Sequence, residues 1–154
     1  MRIILCSGGF DPLHTGHIKY FSRAKSLGDK LFVGVNSDEW LKRKKGLFFL
    51  PIEERLAIVS NIRSVDAVFT FNDDDDSAAD LIRMITQLYP DDKILFANGG
   101  DRKDGNDLNL KERQAATANV EFVFGVGGYD KTNSSSTLLD TYYIKRKSLE
   151  CQRP

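Results

Sequence analysis

Cys6-Ser7-Gly8-Gly9-Phe10-Asp11-Pro12-Leu13-His14-Thr15-Gly16-His17 is the stretch whose reading decides the fold. The apolar run Ile3-Ile4-Leu5 before it reads as a buried first strand, and Ile18, Phe21, Ala24 and Leu27 recur after it at helical spacing. The stretch is therefore a strand-to-helix turn. Two adjacent glycines, Gly8 and Gly9, permit positive φ and let a ligand approach the main chain closely. The helix start behind them offers unpaired N–H groups and the positive end of a dipole, an arrangement that suits a phosphate. His14 and His17, three apart at that start, project to one side and aim two imidazole N–H groups at the same place.

Length and composition bound what surrounds this turn. At 154 residues the chain is expected to form one domain over residues 1–147, with residues 148–154 as a disordered tail. Lys plus Arg and Asp plus Glu are equal at 22 each, so no global field recruits nucleic acid or an anionic membrane, and phosphate binding must be local. No apolar run approaches the roughly 20 residues of a membrane span, and no leader pattern opens the chain, so a cytoplasmic protein is expected. Cys6 reads as core and Cys151 as inert, with no disulfide.

Beyond the first helix, Gly28-Asp29 forms a turn and Leu31 to Val35 a second buried strand, which completes a β-α-β unit. Asn36-Ser37-Asp38 at its carboxyl end has two readings, a cap for the next helix or a ligand contact. The run Lys42-Arg43-Lys44-Lys45-Gly46 is either a solvated face or a means of bringing a lysine over a triphosphate. The apolar Leu47-Phe48-Phe49-Leu50 after it is a lid or a subunit contact. Leu56, Val59 and Ile62 make the stripe of a helix opening near Pro51, with Arg55 and Arg63 off that stripe. Asp73 to Asp76 resembles a metal site but reads as the cap of the helix carrying Leu81, Ile82, Ile85 and Leu88, because four consecutive carboxylates cannot converge on one ion.

Ile94 to Ala97 is a further strand, ending in a second glycine-rich turn, Asn98-Gly99-Gly100-Asp101. Val120 to Phe124 is the last strand, and a third glycine-rich turn leads from it to Ser134-Ser135-Ser136 and a helix from Leu138 to about Lys147. Those serines are either ordinary N-caps or a second anion site. Five strands alternating with helices predict an α/β fold: a single Rossmann-like, doubly wound, parallel five-stranded sheet with helices on both faces. Three glycine-rich turns would then face one crevice at the carboxyl edge.

Gly8 to His17 matches the GxFDxxHxGH motif at every fixed position, and by it the chain resembles the cytidylyltransferase-like nucleotidyltransferases. Neither the G-x-G-x-x-G fingerprint nor the P-loop pattern occurs. The likeness extends to heptose-phosphate adenylyltransferases and glycerol-3-phosphate cytidylyltransferases through Val35 to Asp38, the Lys42 to Gly46 run, Glu54-Arg55, Ile62-Arg63, Asn98 to Asp101 and Ser134 to Ser136. It implies catalytic roles for His14, His17 and Lys45, and nucleotide contacts from Gly8, Gly9, Phe10, Asp11, Gly16, Gly99, Gly100, Asp101, Ser134, Ser135 and Ser136. It also implies substrate contacts from Asp38, Lys44, Arg55 and Arg63, a Mg²⁺ carried on CTP or ATP, a phosphorylated sugar or polyol as acceptor, and a homodimer. The turn at Gly100-Asp101-Arg102 and the short apolar loop at Leu47 to Leu50 depart from the two families and leave base and acceptor open. A non-catalytic nucleotide sensor and a nicotinamide mononucleotide adenylyltransferase, the latter raised by Pro12, are the alternatives.

Overall fold

A computed structural model of the chain describes residues 1–99, 108–128 and 134–153. The elements run β1 (Arg2–Gly8), α1 (Thr15–Lys25), β2 (Lys30–Val35), α2 (Asp38–Lys45), α3 (Ile52–Ser60), β3 (Ala67–Thr70), α4 (Ala79–Leu88), β4 (Lys93–Ala97), α5 (Leu110–Ala115), β5 (Val120–Val123) and α6 (Ser135–Cys151). All five strands form one sheet in the order β3-β2-β1-β4-β5, and every pairing is parallel. This is the doubly wound α/β architecture expected from the sequence. The strand order reverses beside β1, which places a crevice at the carboxyl ends of β1 and β4.

Side chains of β1 alternate between two cores. Ile3 and Leu5 meet Leu81, Ile82 and Ile85 of α4 and Ala115 of α5, whereas Ile4 and Cys6 meet Phe21 and Ala24 of α1 and Val59 of α3. Covering both faces is why the strand reads as an unbroken apolar run. Cys6 is fully buried, and burial pushes its thiol up to about 12 while Tyr20 opposes the shift. Both cysteines are free.

Two expectations change. The last helix starts at Ser135 because Ser134 caps it, its Oγ accepting from Thr137 N at 3.1 Å. It then runs through Cys151, so residues 148–151 are helical and not a disordered tail. No Gly or Pro interrupts that turn, and Glu150 pairs back to Arg146 at 3.8 Å and to Lys147 at 3.7 Å. The acidic run also behaves differently. Asp73 turns inward and accepts from Asn36 Nδ2 at 3.0 Å, Ser37 N at 2.8 Å and Ser37 Oγ at 2.6 Å. The Ala78 amide at the start of α4 is capped instead by Glu112 of α5, at 3.0 Å. A buried carboxylate is held wherever several donors satisfy it, and Asp73 finds three across the sheet edge.

Candidate active site at the carboxyl edge

The first turn is built around its two histidines. His14 is the N-cap of α1, and its Nδ1 accepts from Gly16 N at 3.0 Å. His17 answers one turn later, its Nδ1 accepting from His14 N at 3.2 Å. With both Nδ1 atoms accepting, each neutral ring carries its proton on Nε2. The rings lie side by side, their centroids 3.9 Å apart. Gly16 is required here, because a Cβ would stand 2.7 Å from His14 Cε1.

Positive φ falls on Phe10 (51°) and not on Gly8 or Gly9. A bulky residue in the left-handed region is unfavourable, and packing holds it there: the buried Phe10 ring meets His17 edge-on at 5.1 Å and Phe21 at 5.1 Å. The paired glycines serve closeness instead. A Cβ on Gly8 would lie 2.8 Å from Phe10 Cζ, and one on Gly9 2.9 Å from Leu41 Cδ2 of α2.

Two residues expected to touch ligands are spent on the protein. Asp11 is buried, and its carboxylate accepts from Phe49 N and Leu50 N, each at 2.7 Å. Arg55 is fully buried and donates to the carbonyls of Leu50 (2.9 Å), Gly9 (2.9 Å) and Asn36 (2.7 Å) and to Asp38 Oδ1 (2.6 Å). Asp38 is thereby the counter-ion of Arg55 and opens α2 directly after its cap, Ser37. Arg55 and Asp11, expected as substrate and nucleotide contacts, are thus enclosed by these internal bonds, whereas Asp38 stays partly exposed and gives only Oδ1 to Arg55.

The basic run forms the last turn of α2, where it complements the negative end of the helix. Lys42 pairs with Glu39 at 2.8 Å, and Lys44 Nζ sits 4.9 Å from the Trp40 ring centroid. Lys45 is the exposed last residue, and Gly46 ends the helix with φ at 86°. Arg63 lies elsewhere. It follows α3 in the turn leading to Asp66, whose amide bonds Leu31 O at the entry of β2, so it stands at the amino edge, across the sheet from the crevice.

The other turns close on the first. Ser135 Oγ donates to Pro12 O at 2.7 Å and brings the start of α6 onto the histidine turn; Ser136 beside it is exposed. Tyr20 OH donates to Ala97 O and ties α1 to the end of β4. The β4 and β5 turns are joined through Asn98, whose N donates to Val123 O at 2.8 Å and whose O accepts from Val126 N at 3.0 Å. A Cβ on Gly127 would reach Tyr20 Cα at 3.2 Å, so this last turn lies against α1. At Gly99 a Cβ would meet nothing within 4 Å; Gly100 and Asp101 fall outside the described residues. Among the described residues no group of three or more His, Cys, Asp or Glu is placed to hold a metal ion, and no helix is long and apolar enough to cross a membrane.

Tyr20 carried no mark in the sequence and Asp73 read only as part of a helix cap, because each acts through a partner remote in the chain. Arg55, expected off the apolar stripe of α3, did leave a trace of its burial. It stands four residues before Val59, on the buried side of α3.

The profile of the cytidylyltransferase-like family matches residues 5–139. The bifunctional protein HldE of Proteus mirabilis (strain HI4320) is 36% identical over 134 residues, which cover 86% of this chain and 27% of that protein. HldE of Haemophilus influenzae (strain PittEE) is also 36% identical over 134 residues, covering 86% of this chain and 26% of its own length. The chain thus spans about a quarter of the length of the curated relatives it matches. In three dimensions it is similar to the lipopolysaccharide core biosynthesis protein of Thermoplasma volcanium GSS1, with a TM-score of 0.66, 27% identity, and 84% of this chain and 99% of that one covered. A paired-histidine turn, a parallel sheet in this strand order and a family match across most of its length together establish that the chain belongs to the cytidylyltransferase-like family.

Proposed function

We propose that the chain is a nucleotidyltransferase that moves CMP or AMP from the magnesium complex of CTP or ATP to a phosphorylated sugar or polyol. The observation that carries the reading is the reciprocal cap of His14 and His17, which fixes both rings at one helix start with their Nε2–H groups as the donors. An acceptor phosphate oxygen attacks the α-phosphorus, the bond to the β-phosphate oxygen breaks, and pyrophosphate leaves in line. The nucleophile is already an anion near neutral pH, so positioning and charge stabilisation do the work.

His14 and His17 donate to the phosphoryl oxygens as charge develops on them. Lys45, with Lys44 beside it, supplies a point charge toward the α- and β-phosphates. Ser134 and Ser135 use their hydroxyls to shape the end of α6, which leaves Ser136 and the first amides of that helix for the β- and γ-phosphates. Magnesium enters as part of the nucleotide substrate, because Asp11 and Asp73 are already committed to internal donors. A sugar acceptor is favoured by the likeness to a lipopolysaccharide core biosynthesis protein. A homodimer belongs to the same reading and is checked by light scattering.

The test is pyrophosphate release with CTP and with ATP in Mg²⁺, against sugar 1-phosphates, glycerol 3-phosphate and nicotinamide mononucleotide. Turnover is expected with one nucleotide and a sugar or polyol phosphate. His17→Ala is expected to lower kcat by about 10²- to 10³-fold in a protein that still folds, its unfolding midpoint lowered only by the lost cap and Phe10 contact. Near-normal turnover in a folded His17→Ala protein would overturn the mechanism, and turnover with nicotinamide mononucleotide alone would overturn the acceptor class.

A further inference from the structure

We infer that Asp11 and Arg55 are positioning residues that bolt the Gly46–Leu50 loop to the histidine turn, making the loop a fixed wall of the crevice and setting where Lys45 stands. The bolt holds both polar sides of the loop backbone. Asp11 takes the two N–H groups of Phe49 and Leu50, and Arg55 Nε takes the Leu50 carbonyl. The same guanidinium then reaches back to the Gly9 carbonyl, two residues before Asp11. Loop and turn are thus joined through charge-assisted bonds of 2.7 to 2.9 Å whose charged partners are shielded, since Arg55 is fully buried and Asp11 nearly so.

The helix from which the loop leaves is held at its start. Asp38, in the first turn of α2, is the counter-ion of the same arginine, and Leu41 of that helix lies against Gly9. Lys45 ends α2, so the chain leaves a helix fixed at its start and within four residues meets the amides that Asp11 holds. A lid needs a hinge with little to break when it opens. At the Phe49–Leu50 end there is none, because three charge-assisted bonds would have to break.

The consequence for Lys45 rests on the transferase reading, but the bolt itself does not, and the experiment separates them. Amide exchange is measured by NMR on the whole chain, alone and with the magnesium complexes of CTP and ATP. Phe49 and Leu50 amides are expected to exchange slowly in the free protein and to be unchanged by nucleotide. Fast exchange that slows on adding nucleotide would describe a lid and overturn the inference.

Asp11→Asn keeps the shape but turns an N–H toward one of the two amides. It should speed exchange at Phe49 and Leu50 by about 10- to 100-fold while Leu31 to Val35 stay protected. Arg55→Lys, which keeps the charge beside Asp38 and loses the Nε–H bond to Leu50, should produce the same local signature. Protection unchanged in both variants would overturn the bolt. For turnover, Asp11→Asn should lower kcat/KM by about tenfold alone and have no further effect in a Lys45→Ala background, since both changes remove one placed charge. Effects that multiply would mean that Asp11 acts independently of Lys45. Absence of turnover in the unaltered protein would sink the transferase reading and leave the exchange result to judge the bolt.

Discussion

The two edges of the sheet hold their charges in different ways. At the amino edge Lys25 and Lys30 pair with Asp66, Lys93 with Glu121 and the N-terminus with Asp92, all with side chains in contact with water. At the carboxyl edge Arg55, Asp11 and Asp73 are buried and satisfied by main-chain and side-chain groups from distant segments. Exposed pairs are worth little because water competes for each partner. Buried ones are costly to break, because the survivor is left charged and dry. The edge with the histidines is therefore the one whose geometry is fixed by its charges, and at the other edge charge mainly keeps the surface wet.

Mutation at each edge tests that contrast. Arg55→Ala should have the largest effect on stability, about 3–5 kcal/mol, since it strips Asp38 of its counter-ion and orphans three carbonyls. Urea unfolding followed by circular dichroism reads it directly, and a loss below about 1 kcal/mol would erase the difference between the edges. Ser135→Ala, which removes the bond to the Pro12 carbonyl, should cost about 1–2 kcal/mol by the same measurement. It should also weaken nucleotide binding, because α6 then loses its tie to the histidine turn.

Asp66→Asn should be smallest, about 1 kcal/mol or less at neutral pH. Burial pushes the Asp66 carboxyl up, but hydrogen bonds from Lys25, the Leu31 amide and Lys30 outweigh it and hold the group below its usual 3.8. A carboxyl lowered by folding stabilises the protein above the unfolded value and loses that contribution as pH falls through the folded one. Stability of the unaltered protein should accordingly decline below about pH 4, and Asp66→Asn should flatten part of that decline in urea titrations run from pH 6 to pH 2.5. An Asp66→Asn protein with an unchanged acid limb would assign that limb to other carboxylates.

The sheet, its five strands and the placement of His14, His17 and Ser134 to Ser136 at helix starts were legible in the chain, because each depends on local periodicity and turn chemistry. Asp11 and Arg55 looked like ligand contacts because a charged residue near a motif carries no sign of what will neutralise it. Their partners, at Phe49, Leu50, Gly9 and Asn36, become neighbours only when β1, β2 and α3 assemble. Arg63 was misplaced for a topological reason. A helix that starts at the carboxyl edge delivers the residues after it to the opposite edge, whatever motif they match.

The position of β1 also bears on how the chain is made. It lies at the centre of the sheet, between β2 and β4, although it is first in sequence. When β2 has paired with it, its other side still presents a row of open backbone groups, and β4 begins only at Lys93. At about 5–20 residues per second, the ribosome takes roughly 4–17 seconds to deliver β4 after β1 is complete. Throughout that interval the nascent chain displays an apolar strand edge of the kind that recruits chaperones, and the Tyr20 tie that fixes α1 to the end of β4 forms only afterwards.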